Sequence, residues 1–200
     1  QLSTGLYVGA NATINNSGTV QSDLGTAIYS TFTTSTTNTA GGTIDGGTFA
    51  IYQTGAGIVD NAGLIQSTGG TGVYVATSPS VSFLNRNGAT INAHVGVSFD
   101  SAPSSWINQG QITGANASSI GVAVANGGGF SNETTGQIDG GDDGGYGVYV
   151  TGGDTSISNL GSIQGDYGIY AMSTTTVTNH AGASIDGVDE DAGDPQGADS

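Results

Sequence analysis

Hydrophobic and polar positions alternate with a period of two over short runs, as in Thr71-Gly72-Val73-Tyr74-Val75, Val81-Ser82-Phe83 and Ala89-Thr90-Ile91. Gly, Asn or Pro punctuates each run. Period-two alternation sends successive side chains to opposite faces, so these runs predict β-strands. No segment combines 3.6-residue apolar spacing with helix-forming composition, which rules out the crossover helices that βαβ units need. Strands with no room to cross over can still lie parallel if the chain winds as a coil.

The alternating runs recur. A phrase of Gly or Ala, an apolar residue and usually Tyr places its apolar member at Leu6, Ile28, Ile51, Val73, Val97, Val122, Val148 and Ile169, at separations of 22, 23, 22, 24, 25, 26 and 21 residues. A fixed period of this length is the signature of a solenoid. With about three short strands per period, the sequence predicts an all-β, right-handed parallel β-helix (β-solenoid) of about eight coils over residues 1–185. Coils stacked at about 4.8 Å would make a rod on the order of 40 Å long. One inward column is then the eight residues just named, and a second is Val20, Ile44, Ile65, Ile91, Ile112, Ile138, Ile163 and Ile185. Burying such side chains stabilises by roughly 1.5 to 3 kcal/mol each, which offsets the entropy lost in ordering a Gly-rich chain.

Asn keeps step with the second column, at Asn16, Asn38, Asn61, Asn85, Asn108, Asn132, Asn159 and Asn179. Short turns such as Asn16 to Val20 alternate with turns two residues longer such as Asn38 to Ile44. An amide at equivalent bends can satisfy turn backbone groups and bond its counterparts above and below, so these residues are expected to form a structural ladder. The Gly that follows each Asn is expected to supply positive φ or to leave room for the turn.

The 200 residues include 37 Gly and no Cys, and only 8% are charged, so the surface is polar mainly through Ser, Thr, Asn and Gly. Absence of Cys removes disulfides and thiolate metal sites. The formal net charge is −15, with Arg86 as the one Lys or Arg. That balance opposes the phosphate neutralisation required by nucleic acid or an anionic membrane. No apolar run is long enough to span a membrane, and residues Gln1 to Gly5 lack signal-peptide regions, so an export signal is expected outside this chain.

The phrasing Asn-x-Gly-x-Ile alternating with Gly-Val-Tyr-Val resembles the passenger regions of Gram-negative autotransporters and related surface β-helix proteins, over nearly all of residues 1–185. The resemblance implies export to the cell surface, with anchoring at the outer membrane through a C-terminal translocator barrel outside this chain. It also implies a non-enzymatic adhesin or self-associating scaffold, whose partners are host-cell or extracellular glycan or protein surfaces, or other rods. The alternative is a structural filament or surface-layer element whose coil ends stack on further repeats. Residues 186–200 are expected to form an acidic loop leading into a further coil.

Polysaccharide-processing enzymes also use parallel β-helices. A lyase must neutralise a uronate, and a hydrolase must place two carboxylates across one bond. Neither arrangement is legible. Arg86 follows a bend residue, His94 and His180 fall in different coils, and Asp142 and Asp143 are adjacent in a Gly-rich loop. Catalytic residues are therefore expected to be absent. The position after the first apolar column reads Tyr7, Tyr29, Tyr52, Tyr74, Ser98, Ala123, Tyr149 and Tyr170, which alternation points outward as an aromatic stripe interrupted at Ser98 and Ala123. Its six tyrosines are the candidate ligand-binding residues, as a platform for glycan rings or for a second rod. Of the 16 carboxylates, 11 lie from Asp139 onward. Asp139, Asp142, Asp143, Asp189, Glu190 and Asp191 are the candidate metal-binding set, with Ca²⁺ the cation their oxygens would suit.

Overall fold

The computed structural model describes residues 3–76, 80–102, 105–141 and 143–187. They form an all-β parallel solenoid of 22 strands with no helix. The first coil sets the pattern, with strands β1 (Thr4–Val8), β2 (Ala12–Asn16) and β3 (Thr19–Ser22). Every described strand pairing is parallel, one coil to the next. First and third strands make a 14-stranded sheet, and second strands make an 8-stranded sheet. A coil does not always have three separate strands: Leu64–Val75 and Thr90–Phe99 each run through the corner between a third strand and the following first strand. The last described strand is Ser184–Gly187, which takes in Asp186, the first residue of the expected acidic loop. Residues from 188 onward lie outside the described residues.

Register puts the predicted columns in place. Leu6, Ile28, Ile51, Val73, Val97, Val122, Val148 and Ile169 pair in succession. Val20 through Ile185 do likewise. Away from the terminal coils both columns are fully buried. A third corner of the core is built by Ile14, Thr36, Val59, Phe83, Trp106, Phe130 and Ile157 on the second strands, and Val177 extends this column exposed in the last coil.

The Asn ladder closes the coil between the second and third strands. Each Nδ2 donates to the Oδ1 of the Asn in the next coil, from Asn16 to Asn38 and onward to Asn179, at 2.8–2.9 Å throughout. The same amides donate to turn carbonyls, as Asn38 does to Gly42 O and Leu64 O. From Asn16 to Asn159 the ladder is buried, where an unmade amide bond costs most. Short-turn Gly leaves room, and the long turn uses Gly both ways, since a Cβ on Gly42 would sit 2.5 Å from Asn38 Oδ1. A Cβ on short-turn Gly63 would sit 2.3 Å from the Gly42 oxygen, whereas long-turn Gly41 has φ +82°.

Candidate functional site

Strict alternation fails at one place in the first strand of each coil, and this shapes the outer face. Thr26–Ser30, Phe49–Gln53, Ile120–Val124 and Tyr146–Val150 each place two consecutive residues inward, a small one and then the apolar one. The small residue is dictated by contact with the second column. Cβ atoms added at Gly96, Gly121 and Gly147 would lie 2.4, 2.6 and 2.8 Å from the Cγ2 atoms of Ile112, Ile138 and Ile163. Real Cβ atoms do not approach so closely, so the corner admits Gly, or Ala where it is looser, as at Ala27 and Ala50.

Outward positions therefore fall on both sides of the inward pair, as two parallel columns. One is the predicted stripe: Tyr7, Tyr29, Tyr52 and Tyr74 pair in register and continue through Ser98 and Ala123 to Tyr149 and Tyr170. The other, three residues earlier, was not anticipated: Phe49, Val95, Ile120, Tyr146 and Tyr167 belong to it. Counting back by twos from Val148 would have turned Tyr146 inward. The recurring small residue was the signal that the count must skip.

The two columns merge into two aromatic clusters. Tyr7, Tyr29, Tyr52 and Tyr74 touch in sequence with ring centroids 5.0–5.5 Å apart, and Phe49 packs on both Tyr52 and Tyr74. Tyr146, Tyr149, Tyr167 and Tyr170 form the second cluster, with centroids 5.0–5.7 Å apart. All these rings are half-buried or exposed. Offset and edge contacts of this kind add roughly 0.5–1.5 kcal/mol per pair beyond burial. The Tyr74 hydroxyl donates to the Asp100 carboxylate of the next coil, and that bond, with burial and the negative charge, pushes the phenol up to about 12.

The other predicted residues that are described each have local partners. Asp139 accepts from Gly141 N and from Gln164 Nε2, and it lines a polar cleft of about 350 Å³ with Gln111, Thr113, Gln137 and Gln164. Asp143 stands in the left-handed region at φ 57°. Asp142, Asp189, Glu190 and Asp191 lie outside the described residues. Among the described residues no three His, Asp or Glu side chains gather as a metal site would require. Arg86 Nε and Nη2 bind both oxygens of Asp60 at 2.6 and 2.7 Å, a bidentate pair that holds the guanidinium above its ordinary range. His94 Nδ1 meets Ser119 Oγ at 3.3 Å, and His180 Nε2 meets Ser158 Oγ at 3.1 Å.

The outer face of the first strands is thus where solvent-facing rings concentrate, while the inner faces are committed to the core and the ladder. No protein-family model matches the chain, and no curated protein and no solved structure matches it.

Proposed function

We propose that this chain is a non-enzymatic scaffold and binding surface, an adhesin or self-associating passenger displayed on a Gram-negative cell surface and anchored through a segment outside it. The observation that carries the reading is the pair of outward tyrosine clusters, Tyr7 to Tyr74 and Tyr146 to Tyr170, on a rod whose interior is filled by repeated columns. Aromatic rings offer large contact area at low entropic cost, and Tyr adds a hydrogen-bonding tip, which suits recognition by a face with little charge. A net charge of −15 keeps anionic partners away and favours neutral glycan or protein surfaces.

A structural filament is the second reading, and the direction of the Asn ladder favours it. Each coil donates to the next through the same amide, and short and long turns alternate, so any coil added at an end has a defined register.

The test is a binding screen of the purified chain against glycans, extracellular-matrix proteins and itself, with and without Ca²⁺, beside a Tyr52→Ala/Tyr74→Ala variant. Capture by the parent that the variant loses is the expected result. Absence of binding under every condition sinks the adhesive reading and leaves the tyrosines as packing.

A further inference from the structure

The tyrosine face is broken at one place, and other irregularities of the solenoid gather there. Between Tyr74 and Tyr149 the stripe carries Ser98 and then Ala123, and the neighbouring column carries Val95 and Ile120, all four half-buried and outward. Tyr74 and Tyr149 are three coil steps apart, about 14 Å at the usual strand spacing. Ser98 and Ala123, flanked by the aliphatic Val95 and Ile120, thus make a low floor between two aromatic walls.

One edge of the floor is polar through Asp100, whose carboxylate takes the Tyr74 hydroxyl and whose backbone oxygen accepts from Asn126 Nδ2. The opposite edge is a ledge of two widened corners, residues 115–119 and the described residues 140, 141 and 143–145, which lead into Ile120 and Tyr146. Ser118 N and Oγ both donate to Asp143 O, at 3.1 and 2.8 Å. These two, at φ 55° and 57°, are the described non-glycine residues with left-handed backbone. Such conformations are costly for residues other than Gly, and these two lie in adjoining coils beside the one gap in the aromatic face.

We propose that this notch is a binding site for an uncharged oligosaccharide, with sugar rings lying on Ser98 and Ala123 between Tyr74 and the Tyr146–Tyr149 pair. The proposal rests on the surface-binding reading above and assigns it a place and a ligand class. An apolar floor with aromatic walls receives the C–H faces of a pyranose, and the polar groups along the two edges bond its hydroxyls. Asp100 and Asp143 border the site, and Arg86, the chain's one Lys or Arg, is held by Asp60. An anionic sugar would meet repulsion without a compensating cation.

The probes are cellohexaose, maltohexaose, chitohexaose and galactohexaose, with hexagalacturonate as the acidic counterpart, titrated calorimetrically into the full chain. Binding of at least one neutral probe and none of hexagalacturonate is expected. Ala123→Tyr fills the notch with the residue that six other coils carry at this position. It should weaken binding at least about tenfold while leaving circular dichroism and the thermal midpoint of the parent intact. Asn15→Ala, exposed on the other sheet, should leave affinity unchanged, and Tyr29→Ala reports on the unbroken tyrosine ladder. Failure of every neutral probe, or unchanged affinity in Ala123→Tyr, overturns the proposal. If Tyr29→Ala abolishes capture and Ala123→Tyr does not, the tyrosine face binds but the notch does not. If Ala123→Tyr alters only sedimentation of the chain with itself, the notch receives another rod rather than a glycan.

Discussion

The second and third coils and the fourth to sixth share every column and the Asn ladder, yet beside Val59 the former carry polar groups in the third corner of the core where the latter carry rings. In the former, Ser30, Thr34, Thr36 and Gln53 point inward and are buried. Ser30 and Thr34 hydroxyls meet at 2.5 Å, and Gln53 Nε2 donates to Thr34 O, Gly55 O and Ala56 O. In the latter, Phe83, Phe99, Trp106 and Phe130 form one contiguous ring cluster, with Trp106 stacked on Phe83 at 5.2 Å and edge-on to Phe130 at 4.6 Å. Both regions wind the same way. The columns and the ladder therefore specify the coil, and the third corner adjusts how much each coil contributes to stability.

Trp106→Ala breaks this comparison most severely. The indole is 2% exposed and touches three other rings, so its removal leaves a cavity that stiff neighbours cannot close. A loss of about 3–5 kcal/mol is expected, measured by urea unfolding. If coils unfold semi-independently, the loss should appear as early melting of the middle of the rod under hydrogen exchange, with the first coils protected longer.

Asn85→Ala and Asn38→Ala ask whether the shared ladder is as important in both regions. Each removal strands the Asn on either side, in the same hydrogen-bonded row at the same depth. A cost of about 1–3 kcal/mol is expected in both, equal within error, since the ladder geometry does not differ between them. A much larger cost in one region would show that the third corner supports the ladder.

Thr36→Val sharpens the polar half. Thr36 Oγ1 and Gln53 Oε1 are buried without a hydrogen-bond partner among the described residues. Replacing the hydroxyl with a methyl of similar size removes an unpaired polar atom, so the variant should be more stable by about 1 kcal/mol. A destabilised variant would mean that Thr36 is satisfied in solution, for example by an internal water.

The two aliphatic columns, the ladder and the six-tyrosine stripe were legible because each position repeats the same chemistry at the solenoid period. The third corner was not, because Thr36, Val59, Phe83 and Trp106 occupy equivalent places without resembling one another. The second outward column was hidden by the paired inward residues: a period-two count through Gly147 assigns Tyr146 to the wrong face. The notch was visible only as an interruption at Ser98 and Ala123. Its walls and ledge depend on Tyr146 and on backbone conformations at Ser118 and Asp143 that no residue type announces. Of the candidate carboxylates, Asp142, Asp189, Glu190 and Asp191 lie outside the described residues, and Asp139 spends its two oxygens on Gly141 and Gln164.

The smallest effect is expected at the junction of the two regions, where Tyr74 bonds Asp100. Its phenol is raised from 10.0 to about 12, first by the hydrogen bond and then by burial and the nearby charge. The folded state thus holds this proton more tightly than the unfolded chain does. The stabilisation from the pair is complete below about pH 10, and it declines as the unfolded phenol ionises, being lost as pH rises through the folded value near 12. Because the ring is half-exposed, solvent screens the pair and the change should be modest. Asp100→Asn should let one tyrosine ionise earlier in a tyrosinate absorbance titration, and should flatten the decline in unfolding midpoint across that window. If the titration of the variant overlays that of the parent, Tyr74 does not hold Asp100 in solution, and that edge of the proposed notch is open rather than tied.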